Sequence, residues 1–214
     1  MKSVYDSFEK IGIVPVVVIN DEKDAYDLGK ALMEGGLPCA EVTFRTAAAK
    51  DAIKTMSKEF PEMLVGAGTV LTIEQVDEAV SNGAKFIVSP GINPKVVEYC
   101  VKNNIPITPG TCTPSNVETA LEYGIEVVKF FPAEPSGGLD FIKAIAAPYS
   151  NVRFMPTGGI SEKNVRDYLS YDRIIACGGS WMVKSDLIKN KEFDKIKELT
   201  REAAGIVKEI RGGK

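Results

Sequence analysis

The sequence predicts an α/β fold, a single-domain (β/α)8 barrel with a short N-terminal helix. Three observations predict it. Eight short apolar runs, rich in β-branched residues, alternate with segments of helical periodicity. The units are near-equal and follow one another within 214 residues, without a linker or low-complexity break. The C-terminal ends of the runs share glycine, proline, serine and threonine, as expected of the face that carries the site in such barrels. An open doubly wound sheet competes, but no G-x-G-x-x-G turn follows the first run.

In chain order, Val4, Phe8 and Ile11 recur at helical spacing, and Gly12 ends a leading helix over 1–12. Residues 13–19 form the first strand in spite of Pro15, and Asn20 or Asp21 caps a helix to about Glu34. Then come a strand at 39–45 and a helix at 47–58; a strand at 63–67 ending in Gly66-Ala67-Gly68-Thr69 and a helix at 73–82. A strand at 85–88 ends in Ser89-Pro90-Gly91 before a helix at 94–102. A short strand at 106–108 ends in Pro109-Gly110-Thr111, and Pro114 opens the next helix at a position that favours proline. The run Ile125 to Pro132 is the sixth strand, followed by a helix at 139–147. A strand at 152–155 ends in Pro156-Thr157-Gly158-Gly159, and Ser161 caps the following helix. The last strand, 173–177, ends in Gly178-Gly179-Ser180; a final helix spans 193–210, and 211–214 form a tail expected to fray.

Composition narrows the function. Hydrophobic residues make up 44% and charged residues 26%, as in ordinary globular proteins. The net charge is −3 with no basic block, which argues against nucleic acid. There is no histidine, so Ser-His and Cys-His mechanisms are excluded. Cys39, Cys100, Cys112 and Cys177 form no C-x-x-C pair and fit free thiols in a reducing compartment. The apolar stretch Ile11 to Ile19 is too short to span a membrane and lacks a cleavage site. These features together read as a cytoplasmic enzyme or binding protein.

The sixth strand carries an unusual lysine. Residues two apart on a strand share a face, so Val127, Lys129 and Phe131 point one way, Val128 and Phe130 the other. Lysines are rarely buried without a reason. An amine beside an aromatic ring in a poorly hydrated site has its charged form disfavoured, and so becomes a nucleophile for carbonyl carbon. The competing reading is a strand-end lysine that reaches solvent. On the second strand, Glu41, Thr43 and Arg45 share one parity. They form either an internal ion pair or a general acid/base beside an arginine fork suited to a carboxylate. The 66–69 turn brings backbone amides and the Thr69 hydroxyl to the same end, where a carboxylate could bind. Gly158-Gly159 and Gly178-Gly179-Ser180, at the ends of strands seven and eight, are either turn glycines or a phosphate site. Lys85 begins its strand and belongs to the opposite, structural face; Cys112 has no base to activate it.

Six motifs resemble the KDPG/KHG aldolases, the 2-keto-3-deoxy-6-phosphogluconate and 4-hydroxy-2-oxoglutarate aldolases. They are Glu-Val-Thr-Phe-Arg-Thr (41–46), Gly-Ala-Gly-Thr-Val-Leu (66–71), Ser-Pro-Gly (89–91), Val-Lys-Phe-Phe-Pro-Ala-Glu (128–134), Pro-Thr-Gly-Gly-Ile (156–160) and Gly-Gly-Ser-Trp (178–181). They fall in family order over nearly the whole chain. The resemblance implies a class I aldolase on a TIM barrel, a homotrimer, with Lys129 forming the Schiff base and Glu41 as acid/base. It implies carboxylate binding by Arg45 and Thr69, a pocket lined by Pro90 and Phe131, and phosphate binding by Gly158, Gly159 and Ser180, to which the reading of the glycine pairs adds Gly178 and Gly179. It also implies a phosphorylated keto acid as substrate, pyruvate and glyceraldehyde 3-phosphate as products, and no metal or organic cofactor. Thr111-Cys112-Thr113 departs from the residues common in the family. Two readings outside the aldolases are a phosphate-binding barrel isomerase and a non-catalytic phosphometabolite sensor.

Overall fold

A computed structural model describes residues 2–212. The elements are α1 (Lys2–Ile11), β1 (Ile13–Val17), α2 (Ala25–Gly35), β2 (Cys39–Thr43), α3 (Ala49–Glu59), β3 (Leu64–Gly68) and α4 (Ile73–Ser81). They continue as β4 (Ile87–Val88), α5 (Pro94–Lys102), β5 (Ile107–Thr108), β6 (Gly110–Thr111), α6 (Pro114–Glu122) and β7 (Val127–Phe130). The last are α7 (Gly138–Ala146), β8 (Arg153–Pro156), α8 (Val165–Ser170), β9 (Cys177–Gly179), α9 (Ser185–Lys189) and α10 (Phe193–Arg211).

The strands form a curled six-stranded parallel sheet of order β5-β4-β3-β2-β1-β9 and a three-stranded parallel sheet β6-β7-β8. Isolated parallel bridges join Phe154 to Ile174 and Thr157 to Gly178. Where eight strands are expected, nine segments occur among the described residues, because the fifth is broken at Pro109, which has no N–H to give the ladder. Its carbonyl still accepts from Lys129 N at 2.9 Å. No helix among the described residues is long and apolar enough to cross a membrane.

Several local expectations shift. Asp21 caps a single 3-10 turn before α2, accepting from Lys23 N at 3.0 Å. Ser161 does not start an α-helix: Asn164 Oδ1 accepts from Ser161 N at 2.9 Å, and α8 begins only at Val165. The last strand starts at Cys177 rather than Arg173, so both glycines of the 178–179 pair lie inside it, opposite Val14 and Pro15. Arg211 ends α10 with its guanidinium donating to the Ile174 and Ile175 carbonyls, each at 2.9 Å. Residues 213–214 of the expected tail lie outside the described residues.

Strand parity divides the core. Ile13, Val17, Ala40, Val42, Val65, Ala67, Val128 and Phe130 pack outward on the helices. Val14, Cys39, Phe86, Val88, Val127 and Met155 pack inward, together with Val4 and Phe8 of α1. α1 therefore covers the N-terminal ends of the strands. Phe8 sets its ring edge-on to Phe86 at 4.9 Å, and Tyr5 Oη donates to the Ile107 carbonyl at 3.0 Å. Each such fully buried apolar side chain contributes about 1.5–3 kcal/mol. Lys85 belongs to this structural end, donating to the carbonyls of Pro61 and Met63 at 2.8 and 3.0 Å. All four cysteines are free, and only Cys112 is not buried. Burial pushes the Cys39 and Cys177 thiols up, and pushes Cys100 up to about 12.

Candidate active site

Above the apolar inner layer the interior turns polar. Lys129, on the same face of β7 as Val127, is 4% exposed, and Glu41 of β2 is fully buried. Lys129 Nζ donates to Glu41 Oε1 at 3.3 Å. Both ionisable groups have left water, and such a pair is costly unless well satisfied. This one is not fully satisfied: Glu41 Oε2 is buried without a hydrogen-bond partner among the described residues. A buried carboxylate oxygen left free is a poor way to stabilise a core and a useful way to meet a substrate proton. The ring of Phe131, two residues on, lies 5.2 Å from Lys129 Nζ at its centroid.

Gly68 makes room for this pair. It is the last residue of β3 and stands opposite Thr43 in the ladder. A Cβ there would lie 2.2 Å from Glu41 Oε1, so any side chain would displace the carboxylate. Beyond it, Thr69 has φ of +57°. A β-branched residue in that left-handed region carries about 1–2 kcal/mol of strain. The conformation places Thr69 Oγ1 3.3 Å from Arg45 Nε. Arg45 itself differs from expectation. β2 ends at Thr43, whose hydroxyl donates to the Val17 carbonyl at 2.8 Å, and Arg45 sits in the following turn, exposed rather than inside. Pro90 approaches through its carbonyl, which lies 2.1 Å from where a Cβ on Gly110 would be. Gly110 in turn stands opposite Lys129 in the ladder.

A cleft of about 540 Å³ opens next to the pair, within the range of small-molecule sites. Arg45, Phe131, Gly158, Gly159, Gly178, Gly179 and Ser180 all line it. Lys129, Glu41, Thr69 and Pro90 are not in its wall; Phe131 links the cleft to the lysine. Gly158 and Gly159 have φ of +97° and +85°, which only glycine adopts without strain.

Of the cleft residues outside the expected set, two that carry groups able to meet a substrate are Thr157, read in the sequence only as part of the 156–160 turn, and Lys184. Thr157 lines the cleft, and its buried hydroxyl has no hydrogen-bond partner among the described residues. Its inward direction follows from the alternation that also directs Met155 inward, so period two could have found it. Lys184 also lines the cleft, after the 3-10 turn at Trp181–Val183. No sequence signal separates it from any solvated lysine.

A buried lysine against a half-satisfied glutamate, beside a cleft lined by an arginine and two glycine turns, is suited to carbonyl chemistry on an anionic substrate. Residues 4–199 match the profile described as KDPG and KHG aldolase. The chain belongs to the KDPG and KHG aldolase family. It is 48% identical over 207 residues to the 2-dehydro-3-deoxy-phosphogluconate aldolase of Haemophilus influenzae, covering 97% of this chain and 98% of that protein. Among solved structures it is similar to the KDPG aldolase of Legionella pneumophila, with pyruvate captured as a covalent carbinolamine. The TM-score is 0.90 at 38% identity, over 92% of this chain and 96% of that one. It is also similar to the 2-keto-3-deoxy-6-phosphogluconate aldolase of Zymomonas mobilis with 3-phosphoglycerate, with TM-score 0.88 at 39% identity, over 94% and 95%. All six family motifs lie within the matched range, and they contribute Glu41, Gly68, Thr69, Lys129 and the glycine loops of the geometry above.

Proposed function

We propose that this chain is a class I aldolase that cleaves 2-keto-3-deoxy-6-phosphogluconate to pyruvate and glyceraldehyde 3-phosphate, with 4-hydroxy-2-oxoglutarate as a second substrate giving pyruvate and glyoxylate. The observation that carries this reading is the buried Lys129 amine 3.3 Å from a glutamate with one oxygen free. The carbinolamine captured in the Legionella pneumophila enzyme supports it, as does the phosphorylated ligand in the Zymomonas mobilis enzyme.

In this mechanism Lys129 passes a proton to Glu41 and attacks the C2 ketone. Glu41 returns that proton to the carbinolamine hydroxyl, which leaves as water and gives a protonated Schiff base, the electron sink. Glu41 takes the proton of the C4 hydroxyl, the C3–C4 electrons flow into the iminium, and the aldehyde leaves. The enamine takes a proton at C3, and hydrolysis returns pyruvate and the free amine. One carboxylate relays each proton, as a chain without histidine requires. Arg45 and Thr69 hold the substrate carboxylate so that C2 faces the amine, and Pro90 and Phe131 shape that end. Gly158, Gly159, Gly178, Gly179 and Ser180 receive the phosphate. Thr157 Oγ1, unpaired in the cleft wall, is available to a substrate hydroxyl.

Kinetics on the two substrates test the assignment. The expected result is a kcat/KM for the phosphorylated acid at least about tenfold higher, the worth of one or two charge-assisted hydrogen bonds. A preference for 4-hydroxy-2-oxoglutarate reassigns the substrate, and turnover without a borohydride-sensitive intermediate points to an isomerase. Gly68→Ala tests the geometry. Its methyl would displace Glu41 from Lys129, and kcat is expected to fall about 10²-fold or more, the scale of a misplaced general base. A Gly68→Ala enzyme of full kcat rejects the pairing.

The two sheets form one closed (β/α)8 barrel in this reading, supported by the Thr157–Gly178 and Phe154–Ile174 bridges and by the bond from Lys129 N to Pro109. The chain is one domain and works in the cytoplasm, where four free cysteines are at home. A homotrimer rests on the family resemblance, and sedimentation equilibrium reads it.

A further inference from the structure

The loop after β8 is held from behind. Three successive carbonyls are tied by groups outside the cleft: Ala133 N donates to Thr157 O at 2.8 Å, Glu134 N to Gly158 O at 3.0 Å, and Asn164 Nδ2 to Gly159 O at 3.0 Å. In a planar trans peptide the C=O of one residue and the N–H of the next point in opposite directions. Tying these carbonyls back therefore turns the amides of Gly158, Gly159 and Ile160 the other way. All three residues line the cleft, whereas Glu134 and Asn164 line a separate depression behind the loop. Successive amides turned to one side make an anion-binding concavity.

The strap that does the tying is itself anchored. Glu134 lays its side chain against Gly159, where an added Cβ would be 2.6 Å from Glu134 Cβ and Cγ. Its Oε1 accepts a hydrogen bond from the Tyr168 hydroxyl of α8. Tyr168 is 2% exposed, fixed in the outer core. Burial and then the Glu134 bond push its phenol far up, so it remains a donor across the working pH range. A charge-assisted bond to a rigid buried tyrosine thus fixes Glu134, and through it the 133–134 backbone.

We infer that Glu134 and Tyr168 are positioning residues for the substrate phosphate: they hold the 157–160 loop with its amides turned into the cleft. Neither touches the Lys129 chemistry. This inference rests on the reading that the loop receives phosphate.

The test compares the wild type with Glu134→Ala, Glu134→Gln and Tyr168→Phe. The readouts are steady-state kinetics on 2-keto-3-deoxy-6-phosphogluconate, inhibition by inorganic phosphate, and the rate of borohydride trapping with pyruvate, which has no phosphate. Glu134→Ala and Tyr168→Phe are expected to raise KM about tenfold and to weaken phosphate inhibition to the same degree, as loss of one charge-assisted bond predicts. Kcat and pyruvate trapping are expected to stay within about twofold of wild type, since binding is lost without the chemistry. Glu134→Gln keeps an acceptor for Tyr168 and is expected near wild type. The double variant should be no worse than either single one, because the two act as one unit. An unchanged KM, or a parallel loss in pyruvate trapping, overturns the inference. If the wild type neither prefers the phosphorylated acid nor responds to phosphate, the phosphate reading falls instead, and this inference with it. Glu134 is exposed, so Glu134→Ala decides the matter even where Tyr168→Phe folds poorly.

Discussion

Lys129→Ala is expected to lower cleavage of the phosphorylated keto acid by at least about 10⁴-fold, the scale on which loss of a covalent nucleophile is felt. Borohydride with pyruvate should convert the wild-type chain to a stable adduct, and peptide mass analysis should place it on Lys129. Among the described residues no other lysine is a comparable candidate: Lys85 is committed to two carbonyls at the structural end, and Lys184 is exposed. An adduct elsewhere, or none, removes the assignment. The same variant has a stability signature. Without the amine, Glu41 stays buried with neither oxygen paired across the interior. Breaking a buried pair from one side costs about 3–5 kcal/mol. Lys129→Met combined with Glu41→Gln should recover much of that in a denaturant titration, because no lone buried charge remains. A Lys129 variant as stable as wild type would show that the pair is better solvated than its burial implies.

Glu41→Gln is the second large effect. Turnover is expected to fall about 10²–10⁴-fold, the range for a positioned acid/base. Trapping with pyruvate should slow as well, since the same carboxylate receives the amine proton before attack. The substitution is nearly isosteric and leaves the Gly68 contact in place, so a loss cannot be assigned to misfolding of β2. A variant in which cleavage collapses while pyruvate trapping keeps its full rate would confine Glu41 to the carbon–carbon step. Full activity would reject its proton role altogether.

How much of this was legible in the sequence differs from residue to residue. The inward parity of Glu41 and Lys129 follows from period two along each strand, which is a local property. Arg45 shares that parity by counting, but β2 stops at Thr43, and a strand's end depends on where its neighbours stop pairing. The break at Pro109 was visible as a proline, yet its consequence was not: the fifth strand resumes beyond it and pairs with β7. Ser161 looked like a cap because serine before a helical pattern usually is one. Asn164 instead turns the chain, accepting from Ser161 N and donating to the Gly159 carbonyl, so that α8 starts only at Val165. Glu134 stood in the 128–134 motif with no role, because its partner Tyr168 is 34 residues away.

The sequence by itself determined the alternation of elements, the face on which each chemical group lies, and the family. These depend on backbone periodicity and on short motifs, and both are properties of neighbours along the chain. Only the tertiary structure decided which groups meet. Lys129 and Glu41 are 88 residues apart, and their contact depends on the curl of the sheet and on the absence of one methyl group at Gly68. The unpaired Glu41 and Thr157 oxygens likewise emerge only when every neighbour is in place. Whether a buried polar atom is satisfied depends on all the groups around it in space, and no stretch of chain carries that information.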